Sequence, residues 1–329
     1  MSSKKLAFTL ATMIPFIGSA LAEDNFVVND SAKTMSEGPE YWTPERIKDA
    51  KELLPKREMD KLSAESWGTA NLDFTRSRIT PKTANKAAPY KRVGKLFFTI
   101  PGEGDFQCSA SVIAKRLIVT AAHCMYSDGI GFHTNWVFIP GFDGSNPTQP
   151  RPYGTWNWSY GIIHTNWINS HGALPNNEDF GILELVDQVP PGKTRVYKVG
   201  DYVGKFSTVV NRLFDNNVTM LGYPCNFDSC NIMQRNDSSD HRGSGVSGST
   251  AYEYGSDMTG GSSGGPWVQN FGDPTAAAPT GNWIERNAVI AVTSYGYTDP
   301  AVKILGASQF NTNFSKIRTS ACNHKLGNC

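Results

Sequence analysis

The chain has 329 residues, with 31 Lys+Arg against 30 Asp+Glu and a formal charge of +1. That balance excludes a global basic field able to hold nucleic acid or an anionic membrane, so function must reside in a local site. Hydrophobic residues at 39% against 19% charged describe a folded core, and 31 Gly with 19 Pro favour many turns between short strands.

Met1 to Ala22 begins with Lys4 and Lys5, runs through apolar Leu6 to Ile17 and ends in Ala20-Leu21-Ala22. Charge, apolar run and small-residue cleavage site occur in the order of a secretory signal. The run is broken by Pro15 and falls short of the ~20 apolar residues of a membrane span. The expectation is a soluble, secreted protein, extracellular or periplasmic, with no membrane or nucleic-acid partner. Nothing indicates an oligomer, so a monomer is expected.

Six cysteines suit that compartment: Cys108, Cys124, Cys225, Cys230, Cys322 and Cys329. Six allow 15 connectivities; pairing of sequence neighbours, 108–124, 225–230 and 322–329, is the expected one. Neither Cys-x-x-Cys nor His-Glu-x-x-His spacing is present, and His133, His164, His171, His241 and His324 are scattered, so no metal and no cofactor is expected.

Residues 23–78 form a segment apart, with 12 acidic and 9 basic residues in 56, about twice the charge density of the whole chain. Thr43-Pro44-Glu45 predicts a helix start, with Thr as cap and Pro in the first turn, and Pro55 ends or kinks that helix. The alternating charges from Asp49 to Lys61 suit a solvated helix face. After a signal peptide, the segment reads as a pro-segment preceding a domain over 79–329.

From Ile79 onward, short apolar and β-branched runs recur between turn residues. Strands are predicted at Leu96–Ile100, Ser109–Ile113, Leu117–Ala121, Trp136–Ile139, Tyr160–His164, Phe180–Leu185, Val218–Tyr223, Cys230–Gln234, Ala251–Tyr254, Trp267–Gln269 and Val289–Tyr295. A short terminal helix is predicted at Asn311–Ser320. The class is all-β, antiparallel sandwich or barrel.

Two words carry chemistry: Thr120-Ala121-Ala122-His123-Cys124 and Gly260-Gly261-Ser262-Ser263-Gly264-Gly265-Pro266. A histidine at a strand end is commonly a core residue, and a Gly/Ser run is commonly a linker. Here Pro266-Trp267-Val268 leads the run directly into an apolar strand. A serine hydroxyl needs a base to take its proton as it attacks, and a neutral imidazole does so near pH 7 when a buried carboxylate orients it. Glycines beside the nucleophile let backbone N–H groups face the developing oxyanion.

Together these words resemble the chymotrypsin/trypsin superfamily of serine peptidases. Asn176-Asn177-Glu178-Asp179-Phe180-Gly181-Ile182-Leu183 resembles the family's strand-borne acid, and the order His, Asp, Ser is the family's. The resemblance implies two antiparallel six-stranded β-barrels, with a boundary near 200–210 and a short C-terminal helix. It implies His123, Asp179 and Ser263 as catalytic residues acting through an acyl-enzyme, and backbone N–H groups of Gly261 and Ser263 as oxyanion donors. Glu178, Asp143 and Asp201 are the rival acids. It also implies a Cys108–Cys124 disulfide, and a substrate-pairing strand at Ser294-Tyr295-Gly296.

Two departures matter. Ser262 stands where trypsin-like zymogens place the Asp that pairs with a new N-terminal ammonium, so that switch does not carry over. In this respect the chain is similar to secreted bacterial and fungal relatives of glutamyl endopeptidases. Arg76-Ser77-Arg78-Ile79 is the expected processing site, with Lys91-Arg92-Val93 as a rival. Asp257 occupies the position of the specificity acid, six residues before the nucleophile, while Thr293 stands where glutamyl endopeptidases carry His. The resemblance therefore implies a protein or peptide substrate cut after Arg or Lys. The alternatives are a Glu-specific endopeptidase and a non-catalytic binding or adhesion protein on the same scaffold.

Overall fold

The computed structural model describes residues 25–30, 38–58, 72–79, 84–239, 252–272 and 283–329. The expected signal at Met1 to Ala22, His241 and the first residue of the expected strand at Ala251 lie outside the described residues. Four short strands precede the main body: β1 (Phe26–Asp30), β2 (Lys51–Glu52), β3 (Lys56–Arg57) and β4 (Phe74–Arg78), with helix α1 (Pro44–Asp49) between the first two.

The first sheet follows as β5 (Val93–Ile100), β6 (Gly104–Val112), β7 (Leu117–Thr120), the small hairpin β8 (Tyr126–Ser127) and β9 (Gly131–Phe132), β10 (Thr134–Pro140), β11 (Trp156–His164), α2 (Thr165–Asn169) and β12 (Gly181–Leu185). Its order is β1-β11-β10-β5-β6-β7-β12 with β2 on β6, and β12 pairs back on β11, so the six strands from β11 to β12 close a barrel. Closure leaves no free edge around the ring. Alternation sends Leu96, Phe98, Cys108, Ala110, Val112 and Ile118 inward with Trp136, Phe138 and Trp158.

After α3 (Val199–Val203) and β13 (Ser207–Thr208), the second sheet comprises β14 (Asn217–Gly222), β15 (Gln234–Ser239), β16 (Tyr252–Gly255), β17 (Pro266–Gln269), β18 (Ala288–Tyr297) and β19 (Ile304–Gln309). Its order is β16-β19-β18-β17-β14-β15 with β4 added at the end. This sheet curls as a half-barrel around Met220, Tyr254, Trp267, Ile290 and Leu305. A third cluster, including Phe180, Leu221, Tyr223, Val292, Phe310 and Phe314, joins the two sheets. Helix α4 (Thr312–His324) closes the chain, capped by Asn311, whose Oδ1 accepts from the N–H groups of Asn313 and Phe314.

The architecture is the expected chymotrypsin-like one: mostly β, two curled antiparallel sheets and a short C-terminal helix. Local differences have local causes. Strand β15 begins at Gln234 rather than Cys230, because Asp228–Cys230 form a 3₁₀ turn with left-handed residues. Strand β19 has no counterpart among the predicted strands; Gly306 and the small polar residues around it weaken its apolar signal. Helix α1 has the expected Thr43 cap, whose Oγ1 accepts from Arg46 N–H.

The charged stretch from Asp49 to Lys61 is a clear correction. The helix stops at Asp49, and residues 51–57 run extended as β2 and β3. Ala50, next after the helix, is already extended, and Pro55 keeps only Leu54 out of the α region.

Candidate active site

His123 sits just beyond β7, in a turn of 3₁₀ helix over Ala122–Cys124. Its neighbour Cys124 is bonded to Cys108 on β6, which ties the strand end bearing the imidazole to the barrel wall. Cys225–Cys230 and Cys322–Cys329 are also paired. Asp179 enters from the other side, immediately before β12, and is completely buried. Phe180 packs edge-on against Phe310 and Phe314, fixing the backbone that carries the carboxylate.

Three donors converge on that carboxylate. The backbone N–H of His123 donates to Oδ1 at 2.9 Å, its Nδ1 lies 2.8 Å from Oδ2, and Ser294 Oγ donates to Oδ2 at 2.6 Å. A carboxylate accepts only, so the imidazole carries its proton on Nδ1 and presents Nε2 as a free base. Nε2 has no hydrogen-bond partner, and neither has Ser263 Oγ; both atoms are buried.

Contacts from both sheets place Ser263. Its carbonyl accepts from Ser109 N–H on β6 at 2.7 Å, and the next N–H, of Gly264, donates to Thr293 O on β18 at 2.9 Å. Gly264 has φ +73°, and a Cβ there would lie 2.0 Å from Thr120 Oγ1 at the end of β7. Only glycine fits so near the strand that leads to His123. Gly261 has φ +91°, and a Cβ there would meet Tyr223 O at 2.4 Å, so the expected oxyanion donor is also held by a requirement for glycine. Ser109 Oγ locks the same loop by donating to Gly261 O at 2.8 Å.

The rival acids lie elsewhere. Glu178 accepts from Asn311 and Asn313 at the start of α4, Asp143 shapes a turn with Ser145, and Asp201 is exposed on α3. The scattered histidines have separate structural partners: His133 with Ser127, His164 capping α2, His171 with Asp128 and His324 with Glu184.

The trypsin family model matches residues 85–317, more than two thirds of the chain. The chain belongs to the trypsin family. That membership and the fold support a serine endopeptidase. AL20, a thermostable serine protease from an extremophilic microorganism, superposes with a TM-score of 0.55 at 25% identity, over 71% of this chain and 98% of that one. Protease Anisep from Arthrobacter nicotinovorans gives 0.56 at 22% over 75% and 98%. A Glu endopeptidase gives 0.54 at 20% over 77% and 98%. These last two likenesses concern the fold. An extracellular metalloprotease of Bacillus subtilis (strain 168) is 28% identical over 151 residues, which is 46% of this chain and 43% of that protein. The chain thus matches less than half the length of that relative. Among the described residues, the group of potential metal donors is Cys108, His123 and Cys124. Both sulfurs are tied up in the disulfide, which leaves no thiolate to bind a cation.

Against the trypsin pattern, Ser262 closes its loop on itself: its hydroxyl donates to Thr259 O at 2.6 Å, and its N–H reaches the same carbonyl at 3.1 Å. The hydroxyl therefore holds the loop by a local bond where an ion pair is the family's usual device. Asp257 lies 3.0 Å from Arg76 Nε of β4, with Arg76 stacked on Phe227. Tyr295 turns its ring against Gly306, where a Cβ would lie 2.1 Å from it, and its hydroxyl donates to Glu253 at 2.5 Å. Tyr297 donates to the same oxygen at 2.5 Å. Burial first, then the Glu253 carboxylate, holds both phenols well above their usual range, so both stay protonated donors. Sequence reasoning missed Glu253 and the hydroxyl role of Ser294. An acid between Tyr252 and Tyr254 in an aromatic strand was the available signal for the first.

Proposed function

We propose that this chain is an exported endopeptidase that cuts after Arg or Lys through an acyl-enzyme on Ser263. His123 Nε2 takes the serine proton as Oγ attacks the carbonyl carbon, and returns it to the leaving amine; water then repeats the sequence on the ester. Asp179 holds the tautomer and stabilises the imidazolium. The N–H groups of Gly261 and Ser263 receive the oxyanion, and removing one such donor costs about 10²–10³ in turnover. Substrate adds as a strand beside Ser294-Tyr295-Gly296.

The observation that carries this reading is the buried Asp179 gripping His123 from two atoms while Nε2 is left open. For the basic preference, the support is that Asp257 holds a guanidinium, that of Arg76. Export is supported by three disulfides and by the likeness to an extracellular protease of Bacillus subtilis. Residues 1–22 act as signal and 23–78 as pro-segment, with 79–329 as the mature domain. A fluorophosphonate probe on processed protein is expected to label Ser263. Absence of label there, with a control protease labelled, leaves only a binding role. Digestion of a peptide library is expected to give cuts after Arg and Lys; cuts mainly after Glu overturn the assigned preference.

A further inference from the structure

The substrate cleft is already filled by this chain. Strand β2 pairs in parallel with β6 at Phe106 and Gln107, and β3 pairs in parallel with β18 at Gly296 and Tyr297. Between them the main chain crosses the reactive groups: Leu53 O faces Gly261 N–H at 3.4 Å, Pro55 O accepts from Gly296 N–H at 3.0 Å, and Arg57 O accepts from Thr298 N–H at 3.0 Å. Gln107 Nε2 donates to Ala50 O at 2.9 Å on the far rim. Side chains follow the same track. Glu52 lies over Gly260, where a Cβ would stand 2.7 Å from its carboxyl carbon, and Leu54 packs on Gly296. Leu53 and Pro55 line one small hollow with His123. Ser263 is completely buried, and His123 nearly so.

We infer that residues 51–57 are the built-in inhibitor of the cleft, an extended strand locked at its C-terminal end by Arg57 on the buried Glu253. The inference rests on the reading of Ser263 as nucleophile. Arg57 Nη1 lies 3.6 Å from Glu253 Oε1, the oxygen to which Tyr295 and Tyr297 also donate. Arg76 on Asp257, in the loop that follows β16, is a second arginine from residues 23–78 paired with an acid. Strand addition supplies main-chain bonds that do not depend on sequence, and Pro55 keeps Leu54 extended before docking, which lowers the ordering cost. The occupant is positioned to block, and it is not seated for attack. An oxyanion donor works at about 2.7–3.1 Å, and Leu53 O stays beyond that distance from Gly261 N–H.

The test compares fluorophosphonate labelling of the full unprocessed chain with that of processed protein. The unprocessed chain is expected to label at least about tenfold more slowly, as when the open cleft is held by under roughly one molecule in ten. Leu54→Asp with Arg57→Ala in the unprocessed chain is expected to restore most of the processed rate. A synthetic peptide of residues 50–58 is expected to inhibit processed enzyme competitively in initial-rate assays, before any cutting after its Lys51, Lys56 or Arg57. Equal labelling of both forms overturns the inhibitor and leaves the peptidase standing. No labelling of either form overturns the peptidase reading itself. No initial inhibition by the peptide also counts against the inhibitor.

Discussion

The two sheets contribute to one cleft in different ways. The first is a closed ring, and it holds His123 and Asp179 by a disulfide, a buried carboxylate and a chain of aromatic contacts that all lie within 79–329. The second is an open half-barrel. Its strands carry Ser294 and Glu253, and the loop after β16 carries Asp257, near surfaces that residues 23–78 also touch, through β3, β4 and the two arginine pairs. Residues 23–78 also pair with the first sheet, through β1 on β11 and β2 on β6. The contrast is that the bonds on His123 and Asp179 all come from within 79–329, while Glu253 and Asp257 are met by arginines of a segment that can leave. Local stability is not uniform, and ligand-binding parts come from its lower end.

Substitutions can break this contrast. Ser263→Ala in processed protein is expected to reduce kcat by roughly 10⁴-fold or more, and Asp179→Asn by about 10⁴-fold, with folding of both unchanged by circular dichroism. If the first sheet is the rigid frame, the Asp179 loss appears in kcat with little change in KM. Asp257→Asn belongs to the recognition side and is expected to lower kcat/KM for Arg and Lys substrates by about 10²-fold, sparing turnover of an unspecific ester. An equal loss on both substrates places Asp257 outside the pocket.

Smaller effects sharpen the comparison. Ser294→Ala removes one bond to Asp179 and is expected to cost on the order of 1–2 kcal/mol in kcat/KM, roughly 5–30-fold, without altering side-chain preference. Replacing Cys108 and Cys124 by Ser opens a loop of 16 residues; thermal unfolding is expected to show a loss of about 3 kcal/mol.

A pH effect is specific to the junction. Lys95 is buried among Phe97, Phe142 and Tyr223 and donates to Cys230 O at 3.0 Å. Burial pushes its ammonium down to about 7 from 10.5. The unfolded chain binds the extra proton between those two values, so unfolding free energy is expected to rise with pH across that window. The slope approaches about 1.4 kcal/mol per pH unit. Lys95→Met is expected to flatten that rise in urea denaturation series; an unchanged slope assigns it to other groups.

Much of the site was legible in one dimension because the chemistry demands fixed neighbours. Gly261 and Gly264 must lack side chains where backbone approaches within contact distance, and Cys124 follows His123 because the disulfide anchors that strand end. Such local constraints appear as short words. Ser294 was read only as part of a strand, since nothing nearby says that its hydroxyl meets Asp179, 115 residues earlier in the chain. Glu253 was missed for the same reason. Its partners Tyr295, Tyr297 and Arg57 come from two other strands.

Residues 49–61 show the limit most clearly. Alternating charge there suits a helix face and an extended strand equally well, and Pro55 removes only one option near Leu54. What residues 51–57 pair with depends on two sheets whose edges exist only after folding, so tertiary structure alone decided that they dock on β6 and β18. The sequence by itself determined the family and the two short words around His123 and Ser263, because each depends on residues close together. The convergence of those groups, the partners of the buried acids and the occupant of the cleft depend on distant strands brought into register.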